Sequence, residues 1–103
     1  MVFDKTNLRY NHYKWQEGTP TLVFSGEPTR RMFDRFNGSQ VLFLINSYAA
    51  VIDRFTAQIG EQIEDLISNY LPLEKKSEIS VFHWINENIQ TQKTIHRQNN
   101  LEL

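Results

Sequence analysis

From residue 40 to residue 91 the apolar side chains return at helical spacing in three consecutive segments, and that repetition restricts the fold more than any other feature of the sequence. In 40–55, Val41, Leu44, Ile45, Tyr48, Val51, Ile52 and Phe55 mark one face, and Ser39 stands where an N-cap belongs. Leu42, Phe43, Ala49 and Ala50 widen that face, so this segment is expected to be a central helix packed on two sides. In 57–71, preceded by Thr56 as cap, Ile59, Ile63, Leu66, Ile67 and Tyr70 recur until Pro72 ends the run. In 78–91, with Ser77 as cap, the stripe is Ile79, Phe82, Ile85 and Ile89, and Trp84 falls off it. Beyond residue 92 the polar string 93–103 has no period and is expected to be a disordered tail, leaving 1–92 as one domain.

The first third of the chain has a different pattern. Aromatics nearly alternate through 8–15, which suits a strand with one face against the core, and 21–25 is a second strand candidate. Between them Gly18 and Pro20 have the composition of a hairpin loop. Glu27 and Pro28 suit a helix start, so a short helix over 28–36 is expected, with Met32, Phe33 and Phe36 inward and Asn37-Gly38 as its stop. The fold class expected from these patterns is α+β: an N-terminal two-stranded antiparallel hairpin packed on a bundle of three to four helices.

A chain of 103 residues has room for one core, and the seven Phe, four Tyr and two Trp supply enough apolar volume to order it. With no cysteine there is no disulfide framework and no thiolate nucleophile or ligand. The start Met1-Val2-Phe3-Asp4-Lys5 leads into polar and aromatic residues rather than an apolar leader, so a cytoplasmic address is expected. The longest unbroken apolar run, 41–45, is too short to span a bilayer, and no membrane partner is expected. A net charge of −1 gives no long-range field toward nucleic acid. The charge is uneven, however: between 41 and 74 Arg54 is the lone cation against Asp53, Glu61, Glu64, Asp65 and Glu74.

No phosphate loop, zinc-protease motif or nucleophile elbow occurs, so no catalytic residue, cofactor or metal is assigned; the preferred reading is non-enzymatic, and a small enzyme with a site between ribbon and helices, using His12 with Asp34 or Glu27, stays open. Glu61, Glu64 and Asp65 are read as the wet face of their helix. His83 and Glu87, four residues apart, have no second histidine within helical reach.

Two binding readings follow. The first is a small protein-interaction module, an adaptor or homo-oligomer, whose surplus large apolar residues, Trp84 among them, meet a protein partner. The second is a nucleic-acid accessory protein. It would use Arg9, Tyr10, Tyr13, Lys14 and Trp15 of the ribbon, with Arg30 and Arg31, because bases stack on rings while cations follow phosphates. That reading requires the cations to share one exposed face with at least one of Tyr10, Tyr13 or Trp15.

Overall fold

The computed structural model describes residues 2–15 and 26–101, with side chains as far as Ile89 in the last helix. Three helices carry the fold: α1, Gly38–Val51, α2, Ala57–Asn69, and α3, Glu78–Leu101. Each packs on the other two. Val41, Leu44 and Ile45 from α1, Ile63 and Ile67 from α2, and Val81 and Ile85 from α3 are fully enclosed between them. These side chains drive association of the helices, since none would be stable alone at such lengths without an apolar face to bury.

The helix starts are specified locally. Thr56 caps α2, its hydroxyl accepting from the Ile59 N–H at 3.2 Å. Ser77 does the same for α3, accepting from the Ser80 N–H, also at 3.2 Å. The cap of α1 is Asn37 rather than Ser39: its side-chain oxygen accepts from the Gln40 N–H, so the Asn37-Gly38 pair opens this helix instead of closing an earlier one. The α3 stripe is also rotated from the expected one. Val81, Trp84, Ile85 and Ile89 are buried, while Ile79 is partly exposed.

The expected α+β class is corrected here. Among the described residues there is no strand, hairpin or sheet, only two isolated bridges, Lys14 with Asn37 and Met32 with Ser77. Residues 16–20 and 21–25, the expected loop and second strand, lie outside the described residues. The segment 8–15 runs instead across the helices, and its backbone groups find helical side chains and the 36–38 turn. The Lys14 N–H donates to the Phe36 carbonyl at 2.6 Å, and the Gly38 N–H returns to the Lys14 carbonyl at 3.3 Å. Upstream, the Asn46 amide on α1 clamps both backbone groups of Phe3, accepting from its N–H and donating to its carbonyl. Buried backbone groups need partners, and here side-chain amides and carboxylates replace a sheet ladder.

The expected 28–36 helix is not formed either. Its backbone lies against the start of α3: Phe33 N–H donates to the Lys76 carbonyl, Glu78 N–H to that of Arg31, and Ile79 N–H to that of Thr29. The Gln40 amide takes the Asp34 N–H and the Met32 carbonyl. A nine-residue helix carries a full nucleation cost, and these external partners satisfy the same groups without it. Of its expected inward side chains only Phe33 is buried.

Candidate functional site

The two irregular segments are each held by one enclosed carboxylate. On α2, Glu64 accepts from the Arg9 N–H at 2.9 Å, the Tyr10 N–H at 3.2 Å and the Tyr13 hydroxyl at 2.7 Å. Burial, reinforced by the neighbouring Glu64 carboxylate, pushes the Tyr13 phenol well above the ordinary tyrosine range. The Tyr10 hydroxyl donates to Asp65 at 2.5 Å and accepts from Asn69 at 3.1 Å; the bond to Asp65 raises its pKa. The carboxylate read as part of a wet acidic face is thus enclosed, and Asp65 is tied to a tyrosine.

On α3, Glu78 sits at the first helical position, completely enclosed. Arg31 reaches it twice, Nε to Oε2 at 2.6 Å and one terminal nitrogen to Oε1 at 3.0 Å. Gln40 donates at 2.8 Å, and the Thr29 N–H at 3.1 Å. Burial alone would raise this carboxyl, but the bonds from Arg31, Gln40 and Thr29 outweigh it and hold the pKa below the ordinary value.

The residues singled out from the sequence are therefore distributed as follows. Tyr13 and Trp84 are buried in the common core. Trp15 is half-buried, its ring lying on Gly38 and under the Lys5 ammonium, 4.6 Å from the ring centre. The Arg9 side chain is largely in water, 3.9 Å from Glu61. Lys14 and Arg30 are exposed, and Arg31 belongs to the Glu78 ion pair. Among the described residues no group of three or more His, Asp and Glu converges as a metal site. No described helix is long and apolar enough to cross a membrane.

Where 26–37 passes the α2–α3 connection, the two chains leave a groove of about 370 Å³. Its apolar surface is conspicuous: Leu73 is 85% exposed, Met32 75% and Phe36 47%. Arg35, Lys75 and Lys76 stand around it. The walls are tied together by the Arg35 guanidinium, which donates to the Leu71 carbonyl at 2.9 Å, and by the bond from Phe33 to Lys76. His12 stands edge-on to the Phe36 ring, with centres 5.5 Å apart. Periodicity did not lead to this groove, because Leu73 lies in a short connection and Met32 was read as facing the core. A second depression between α1 and α3, beside Val51, Ile79 and Phe82, opens next to Gly26, where the described chain resumes.

Compared with protein-family models, with curated proteins and with solved structures, the chain matches none.

Proposed function

We propose that this chain is a non-enzymatic protein-interaction module. The observation that carries the reading is the groove beside Met32, Phe36 and Leu73, where three large apolar side chains are left in water around one depression; Val2, Val51, Tyr70 and Ile79 are also exposed but do not line it. Contiguous apolar surface of this kind is unfavourable to hydrate and marks places where another molecule docks. Its walls are pinned by hydrogen bonds rather than left as loose loop, so binding would not require the site to be ordered first.

The test is selection of a charge-unbiased displayed peptide library on the immobilised chain, with light scattering after size exclusion as its companion. Enrichment of peptides that bind the chain and fail to bind Leu73→Asp supports the module. A library with no enrichment, together with a strict monomer at high micromolar concentration, removes both the adaptor and the homo-oligomer forms of the reading. The same chain titrated with oligonucleotides at two salt concentrations addresses the nucleic-acid alternative, whose binding would weaken steeply with salt.

A further inference from the structure

Resting on the interaction-module reading, we infer that the Met32–Phe36–Leu73 groove takes an acidic amphipathic segment of another protein, its apolar side chains on Met32, Phe36 and Leu73 and its carboxylates on Arg35, Lys75 and Lys76. The argument is charge complementarity around an apolar floor. Three cations border the groove against one carboxylate, Asp34, which is already engaged in accepting from the Phe36 N–H at 2.9 Å. The ammonium groups of Lys75 and Lys76 enter none of the ion pairs among the described residues. Arg35 uses one of its several N–H donors on the Leu71 carbonyl, which orients the guanidinium and leaves donors for a carboxylate. Together they give the groove's lining an excess of positive charge, which an arriving carboxylate would offset.

The floor argues against nucleic acid as the occupant. Leu73 and Met32 are its most exposed members and offer no ring for a base to stack on; of the two phenylalanines in the lining, Phe33 is buried and Phe36 is open to water. Met is suited instead to side chains of varied shape, being unbranched and polarisable. A second copy of this chain is also a poor occupant through its acidic helix. On α2 Glu64 is enclosed, Asp65 is bonded to Tyr10 and Asn69, and Glu61 faces Arg9. The carboxylates there are engaged before any partner arrives.

The deciding experiment titrates the nitrogen-15-labelled full chain with three probes. They are a synthetic peptide with Leu and Phe on one helical face and Glu on the other, the same peptide with Lys for Glu, and a single-stranded oligothymidylate. The Glu peptide is expected to shift amides of 32–36 and 71–76, to bind more weakly as salt rises, and to lose affinity about tenfold in the double variant Lys75→Glu, Lys76→Glu. Lys76 is exposed and Lys75 partly so, and neither enters an ion pair among the described residues, so the variant's amide spectrum should otherwise match the parent, and Leu73→Ser provides a second, uncharged reduction of binding. Equal binding of the Glu and Lys peptides overturns the acidic partner while leaving the interaction module standing. Shifts in the groove from oligothymidylate alone overturn both, and so does the absence of shifts from all three probes. Dimerisation that protects 32–36 and 71–76 without a probe overturns the acidic partner in favour of self-association.

Discussion

Glu64 and Glu78 are equally shut off from water, yet one is met by neutral donors and the other by a guanidinium. Around Glu64 the charge is spread over two backbone N–H groups and a phenol, so the N-terminal segment is held by many small contributions, with Phe3 and Tyr13 packed in the core beside them. Around Glu78 the segment 26–37 hangs on a bidentate ion pair, supported by Gln40 and Thr29. The difference teaches that enclosure alone does not set the worth of a buried carboxylate. What matters is what remains when one partner is taken away: a hydrogen-bond vacancy in the first case and an uncompensated charge in the second.

The largest expected effect therefore belongs to Arg31→Met. It keeps much of the side chain's apolar length and removes the charge facing Glu78, which should cost about 3 kcal/mol in urea unfolding. If the midpoint does not move, Gln40 and Thr29 suffice for Glu78 and the contrast with Glu64 collapses. The acid limb sharpens the same point. Because the folded pKa of Glu78 is lowered, its contribution is present above the ordinary glutamate value of 4.5 and is lost as pH falls through the lower folded value. Removing Arg31 removes a principal cause of that lowering, so the variant should lose less stability than the parent between neutral and acid pH.

Next in size is Gly60→Ala, on the Glu64 side. A β-carbon there would collide with the Phe3 ring, which is itself buried and clamped at its backbone by Asn46. The usual gain of up to about 1 kcal/mol from alanine in a helix should reverse to a net loss of about 1–2 kcal/mol. A stabilised variant would show that the N-terminal segment rests on α2 more loosely than Glu64 and Phe3 imply. Tyr13→Phe should cost less, about 1 kcal/mol at neutral pH, because Glu64 keeps its two backbone donors. Its alkaline signature is separate. The raised phenol contributes stability that is intact below the ordinary value of 10.0 and is lost as pH rises above it, so thermal melts of the variant should fall less steeply there than those of the parent, with Tyr10 and Tyr48, also raised, contributing to the fall that remains.

The helices were legible because 3.6-residue periodicity is imposed by their own cross-section, and caps such as Thr56 and Ser77 act within one turn. The hairpin was not, because alternating aromatics in 8–15 read alike whether the segment pairs with a strand or lies across helices. Its hydrogen-bond partners are distant side chains, and propensity carries no trace of them. The two carboxylates did leave a signal that wet-face reasoning passed over. Glu64 follows Gly60 by four residues and precedes Ile67 by three, and Glu78 precedes Val81 by three and Ile85 by seven, so both stand on buried stripes. A glutamate on an apolar stripe needs donors from outside its helix. The groove had no comparable signal, since it exists only where two irregular segments meet.

The smallest expected effect divides the molecule along a different line. Met32 belongs to the segment anchored at Glu78, and Leu73 to the connection that faces it; both are more than half exposed. Leu73→Ser and Met32→Ser should each shift the urea midpoint by less than about 0.5 kcal/mol, because neither side chain leaves water on folding. Arg31→Met, in the same neighbourhood, should shift it several-fold more. Stability changes as large for Leu73→Ser as for Gly60→Ala would mean that the groove floor is core in solution, and the anchor and the binding surface of this segment would then be one structure rather than two.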